Sequence, residues 1–377
     1  MFLKKINYTF IFLLLLYIPL FNYFYEINLN GGHTYLTADW LINYNFGYIK
    51  RGLAGTIILY FLKDSSSILN FISLSLIGVY TLNIYLTLRL FTTYKQNIYS
   101  FLLLLSPATL LFPLFDSQGS FRKEILGFTV LLILLNFDRF KHKMYVLFFS
   151  SLIFGFAVFS HEVNIFFSLA IFFILKNYYT DLGNVKYTLF VLPILLNLVF
   201  YFTSSNDELT MRLIKDNICI DFYFRDLGSL CNTGIMDYIY WDFNANLNQT
   251  LYHVLDKQYN YQNYIYLFLL CIAPFLFTSF FTKNILFTSL FGLSFLPLFF
   301  LAIDWGRWIH IIIFSLSLLV FRHNDQNQFN VPFVLLLLPY SFLVKIEHCC
   351  KPEFNLNVEN IIGNFNIFVK SLSNFYF

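Results

Sequence analysis

Long apolar runs separated by short polar stretches set the plan of this chain. A helix that crosses a bilayer needs about 20 apolar residues, and full-length candidates lie at 8–25, 68–91, 98–115, 144–160, 187–203, 264–282 and 285–303. Shorter runs lie at 125–137, 163–175, 309–321 and 331–344. The run from Gly52 to Leu62 stops at Lys63-Asp64, is too short to cross, and is expected to lie as a helix in the interface. The pattern predicts an all-α, polytopic membrane protein of about eleven spans over 1–344, with a mixed, Asn-rich tail at 345–377 to which no role is assigned. The first run lacks a small-residue cleavage site and reads as an uncleaved anchor.

Composition agrees with the pattern. Of 377 residues 58% are hydrophobic and 12% charged, well under the roughly 25% charged residues of soluble domains. The abundance of Phe and Tyr with little Ala reads as the bias of an AT-rich bacterial genome. A net charge of +3, with the bases in short loops, removes nucleic acid from the partners considered. Among the cysteines, Cys219 and Cys231 share one polar loop, 204–262, and can bond if the compartment is oxidising. Cys271 lies in an apolar run and Cys349-Cys350 in the tail, and no zinc-site spacing is present. No internal repeat or linker divides the chain.

Orientation follows from Lys and Arg in short loops. With Lys4-Lys5 inside and 52–62 interfacial, the inside loops carry Arg89 and Lys95, Arg139-Phe140-Lys141-His142-Lys143, Lys176 and Lys186, Lys283, and Arg322-His323. The N-terminus is then cytoplasmic, in a bacterial inner membrane. The first outer loop (26–62, including the interfacial helix), 116–124, 160–162, the long loop 204–262 and 304–308 all fall outside.

Three short runs, 125–137, 163–175 and 309–321, each begin directly after one of these motifs. Such a run covers about 20 Å at 1.5 Å per residue, against a hydrocarbon core of roughly 30 Å. The motifs themselves must complete the helices. Glu124, His161, Glu162 and Arg307 are therefore expected below the outer interface, where ionisable groups need partners or a watery cavity.

Each candidate residue carries a structural alternative. Asp39 can take a proton from a hydroxyl or cap a helix. Lys50 and Arg51 precede the interfacial helix, where N–H groups, dipole and cations suit a phosphate, or they snorkel to headgroups. Arg122-Lys123-Glu124 offers a phosphate clamp, or a helix start with an internal ion pair. His161 and Glu162 offer a base or a hydroxyl-orienting pair, or a buried structural pair. Asp304-Trp305-Gly306-Arg307-Trp308 suits a sugar stacked on indoles with its diphosphate on Arg307, or an aromatic belt with a local ion pair.

An acid in the first outer loop followed by a juxtamembrane helix, here Asp39 and 52–62, resembles the GT-C class of membrane glycosyltransferases and the O-antigen or capsule polymerases. The chain has no Asp-X-Asp pair in that loop and no Trp-Trp-Asp-Tyr-Gly element. The resemblance implies an extracytoplasmic enzyme of surface-polysaccharide biosynthesis that transfers or polymerises saccharides carried on undecaprenyl diphosphate. Asp39, Glu162 and His161 are then catalytic, with Lys50, Arg51, Arg122, Glu124, Asp304, Trp305, Arg307 and Trp308 holding substrate. The bilayer and polysaccharide-assembly proteins are its expected partners. No cofactor or metal ligand is assigned, and a divalent metal is left open. The alternative is a transporter or flippase of a lipid-linked oligosaccharide. It predicts bases along the whole path, whereas the intramembrane charges here gather at one face.

Overall fold

The computed structural model describes residues 2–94, 96–203, 208–222, 229–232, 234–238, 243–256, 261–323, 340, 344–349 and 353–354. In chain order it forms α1 (Phe2–Leu29), α2 (Ala38–Leu41), α3 (Gly52–Phe61), α4 (Ser65–Thr93), α5 (Ile98–Leu104), α6 (Phe112–Phe115), α7 (Ile125–Asn136) and α8 (Lys143–Ser160). A 3-10 turn (Glu162–Phe167) leads into α9 (Ser168–Tyr178), and α10 (Val185–Thr203), α11 (Glu208–Asp216), α12 (Ile235–Tyr238) and α13 (Phe243–Leu255) follow. The last helices are α14 (Gln262–Leu276), α15 (Ser279–Lys283), α16 (Ile285–Ser294), α17 (Leu296–Leu301) and α18 (Trp305–Arg322). The only described strands are the two-residue antiparallel β1 (Val344–Lys345) and β2 (Glu353–Phe354).

Among the described residues four helices are long and apolar enough to cross a membrane: α4, α8, α10 and α18. The expected count of about eleven spans is not reproduced among the described residues, and proline and capping side chains explain much of the difference. The run 98–115 breaks after α5, ahead of Ser106-Pro107, because a residue before proline avoids the helical region. Pro297 sits in the first turn of α17 and splits 285–303. Thr278 accepts the Phe281 N–H and starts α15 anew within 264–282. The run 309–321, read as short, belongs to an 18-residue helix that opens at Trp305. The run 331–344 lies almost entirely outside the described residues, as does most of the tail.

Two compact units interleave along the sequence. One comprises Met1–Leu20, Ile84–Ser120 and Phe243–Phe377, the other Phe21–Asn83 and Phe121–Asp242. The core of the first gathers Phe112, Tyr261, Tyr264, Leu267, Cys271, Ile309 and Ile313, and α18 is buried along nearly all its length.

In the second unit α8 packs against both α7 and α10. Ten of the twelve residues of α7 are buried, whereas α10 is largely exposed, as a lipid-facing helix should be. The short helix α3 crosses the chain at Leu41-Ile42 so closely that a Cβ on Gly55 would lie 2.1 Å from the Ile42 carbonyl oxygen. Only glycine allows that approach. It holds α2, with Asp39, against the helix that Arg51 begins.

Candidate functional site

Three segments of the second unit meet at one cluster of charge: the first polar loop up to Arg51, the start of α7, and the break between α8 and the 3-10 turn. Lys123 is its hub. Completely buried, its ammonium donates to the carbonyl oxygens of Asp39 at 2.6 Å, Ser160 at 2.9 Å and Arg51 at 3.2 Å. An ammonium has three donors, and here two hold the first polar loop at its two ends and the third holds the end of α8. The Trp40 ring lies 5.5 Å away and adds a cation–π contact. Burial pushes the Lys123 amine down to about 8, while the Asp39 carboxylate draws it up. It is therefore charged at neutral pH.

Arg51 stands at the start of α3 in the left-handed region, with φ 68°. That conformation is costly for a side chain larger than Asn and persists only where the surroundings impose it. Its carbonyl faces Lys123, and its guanidinium makes a two-pronged pair with Glu162, Nε to Oε2 at 3.0 Å and Nη2 to Oε1 at 2.7 Å. The other non-glycine residue at positive φ among the described residues is Phe121, two positions before Lys123. Its ring stacks 4.0 Å from Phe24, its N–H donates to the Tyr80 hydroxyl, and its carbonyl accepts from Trp40 Nε1. Both strained residues border the cluster.

Asp39 sits beneath the pair. Its carboxylate is 3.6 Å from Arg51 Nη1 on one side and 3.6 Å from Lys123 Nζ on the other, and Oδ1 has no hydrogen-bond donor among the described residues. Burial raises its pKa, and the surrounding cations, Lys123 and Arg51 foremost, outweigh that and hold the group below the usual carboxylate range. Glu162 is likewise held far down by Arg51 against the opposing effect of burial.

His161 closes the cluster. Its Nδ1 accepts the Val163 N–H, so the neutral ring carries its proton on Nε2, which lies 3.8 Å from Glu124 Oε1. Burial and the nearby Arg51 push the ring down to about 4, and it is neutral at pH 7. The Asp39, Lys123, Glu124 and His161 side chains are almost inaccessible, while Arg51 keeps 19% and Glu162 30% of their side-chain surface. The cluster thus opens through one ion pair, beside the stacked rings of Tyr44, Tyr48 and Phe200.

Of the residues expected from sequence, Asp39, Arg51, Glu124, His161 and Glu162 come together here. Arg122 donates to the Tyr35 carbonyl at 3.2 Å, and the Lys50 ammonium lies over the Tyr201 ring. Asp304, Trp305, Arg307 and Trp308 belong to the other unit. There Arg307 pairs with Asp304, and its guanidinium lies 5.1 Å over Trp308, which is buried. Trp305 donates to the Phe299 carbonyl and packs edge-on against Tyr261. His348, in the tail given no role, bonds the buried Asp116 through both its backbone N–H and Nδ1. Lys123 lies in the Arg122-Lys123-Glu124 motif, but sequence does not say which of two adjacent bases turns inward.

Compared with protein-family models, with curated proteins and with solved structures, the chain finds no match.

Proposed function

We propose that this protein transfers a saccharide from a polyprenyl diphosphate to an acceptor hydroxyl at the outer membrane face, with the Arg51–Glu162 pair as its working end. The observation that carries this reading is a two-pronged Arg–Glu bridge, the exposed edge of an otherwise buried charge cluster, held from below by Asp39 and Lys123. A diphosphate is a stronger partner for a guanidinium than one carboxylate. Its arrival draws Arg51 from Glu162, and the departing positive charge raises the Glu162 pKa and makes it a better base.

Glu162 then accepts the proton of the acceptor hydroxyl. The acceptor oxygen attacks the anomeric carbon, and the bond from that carbon to the diphosphate oxygen breaks. The electron pair leaves with the diphosphate, whose charge Arg51 offsets. Asp39 touches neither reactant in this scheme; it positions Arg51. The broken pairs α14–α15 and α16–α17 are read as crossing the bilayer as units, which brings the passages towards about eleven. A Cys219–Cys231 disulfide supports an oxidising, extracytoplasmic side for the loop that carries it.

The test is transfer in proteoliposomes supplied with lipid-linked saccharides extracted from cells that carry the protein. The wild type should form a new glycosidic bond. Glu162→Gln and Arg51→Lys should each lose activity about a hundredfold or more. Movement of the lipid-linked saccharide across the bilayer with no new bond would replace this reading by the flippase.

A further inference from the structure

Alongside α3, the second unit holds a groove of about 350 Å³, within the range of small-molecule sites, roughly 300–1,000 Å³. One wall is a single helical stripe: Thr56, Leu59 and Tyr60, continued by Lys63 just past the end of α3. The other wall is Asn217, Asp221 and Phe222, the turn that follows α11. Asn45 joins the walls, its Nδ2 donating to Asn217 Oδ1 at 3.2 Å. The second wall is fixed covalently, because Cys219 within it is bonded to Cys231.

The chemistry of the lining is selective. Among the described lining residues the one cation, Lys63, is matched by one carboxylate, Asp221, which leaves no surplus charge there to hold a phosphate. Asn45 and Asn217 each offer donors and an acceptor. Asn217 spends its amide on Asp221 Oδ2, and Lys63 spends one of its three N–H groups on the Leu59 carbonyl. Asp221 Oδ1 and two Lys63 N–H groups are left to a ligand, among the described residues. The Tyr60 ring, 73% exposed, adds a broad apolar face. Hydroxyls that are donor and acceptor at once, on a ring with one C–H face, match this combination. A purely apolar chain would strand the amides, and a phosphate would meet Asp221.

We propose that this groove binds a neutral saccharide, one face on Tyr60 and its hydroxyls on Asn45, Asn217, Asp221 and Lys63. Its role as the acceptor subsite rests on the transfer reading above, and the binding itself does not. Thr56 lies five residues along α3 from Arg51, so a saccharide chain in the groove runs beside the helix that begins at the working pair.

Saturation-transfer NMR on the detergent-solubilised full-length protein tests this, with lactose, maltose and N,N′-diacetylchitobiose as probes and inorganic pyrophosphate as competitor. At least one disaccharide should bind, pyrophosphate should not displace it, and Tyr60→Ala and Asn217→Ala should each weaken it about tenfold. The exposed Tyr60→Ala variant keeps the test decisive should Asn217→Ala fail to fold. The double change Cys219→Ser with Cys231→Ser should weaken binding as well. Failure of all three disaccharides, undiminished binding by Tyr60→Ala, or displacement by pyrophosphate overturns the proposal. Binding is read without turnover, and transfer is read separately in the proteoliposomes. Binding without transfer in the wild type therefore counts against the enzyme reading alone, and transfer without binding against the groove alone.

Discussion

Lys123 Nζ lies 2.6 Å from the carbonyl oxygen of Asp39 but 3.6 Å from its carboxylate, so the hydrogen bond goes to the backbone and the side chain receives only the charge. The ammonium works as a clasp for the chain more than as half of a salt bridge. Asp39 keeps its carboxylate turned towards Arg51 as well.

Lys123→Met should therefore destabilise the protein by about 3 kcal/mol or more, since it frees three carbonyls and leaves Asp39 short of a buried counter-charge. Thermal unfolding in detergent measures this. The double change Lys123→Met with Asp39→Asn should recover part of the loss. A single variant within about 1 kcal/mol of wild type would remove the clasp from the account.

Acid should loosen the fold in a defined window. His161 has a pKa of about 4 when folded against 6.5 for the free side chain, so between those values the unfolded chain takes up a proton that the folded chain refuses. Stability then falls as pH drops from about 6.5 to about 4, by of the order of 3 kcal/mol. The depressed carboxylates of Asp39 and Glu162 act in the same direction, but only from their unfolded values of 3.8 and 4.5 downwards. His161→Gln should flatten the upper window and leave the lower loss in place. Melting temperatures at half-unit pH steps would show an unchanged slope between pH 4 and 6.5 if the ring plays no part.

Gly55→Ala tests the close crossing of α3. In most helices such a change helps, by up to about 1 kcal/mol. Here the new methyl meets the Ile42 carbonyl oxygen at 2.1 Å, a backbone atom that cannot step aside cheaply. The variant should lose stability, while Gly78→Ala in α4, which meets nothing within 4 Å, should hold or gain. Equal effects at both positions would show that α3 has room to move.

Arg307 and Asp304 present a separable question in the other unit. Arg307→Ala should lower protein abundance, because it leaves a carboxylate without its guanidinium, and Arg307→Ala with Asp304→Ala should restore it. Polysaccharide chain length on a gel, read beside the protein level, distinguishes the roles. Recovered protein with no long polymer assigns Arg307 to substrate. Recovery of both assigns it to the fold.

Much of this architecture was legible in the chain. The boundaries of α3, α7, α8 and α10 follow hydropathy almost to the residue, because an apolar run flanked by charge has few other ways to fold in lipid. Runs too short to span grouped Glu124, His161, Glu162 and Arg307; the first three lie in the charged cluster beside Asp39 and Arg51, whereas Arg307 belongs to the other unit. Pro107, Pro297 and the Thr278 cap were missed, since a hydropathy window registers how apolar a segment is and ignores a lost N–H or a competing hydroxyl. The bond between His348 and Asp116 joins positions 232 apart in an unpatterned tail, and no local signal announces it.

The interleaving of the two units has a consequence for synthesis. Every residue of the charged cluster has been translated by Glu162, and its unit is whole once Asp242 emerges. The other unit begins with Met1 yet waits for Phe243 and beyond, so its first helical segment and the stretch from Ile84 to Ser120 spend much of translation without the part of their unit that starts at Phe243. The order in which the two units are completed is thus the reverse of the order in which they begin. A ribosome stalled late would strand the half that started first, with the charge cluster already closed.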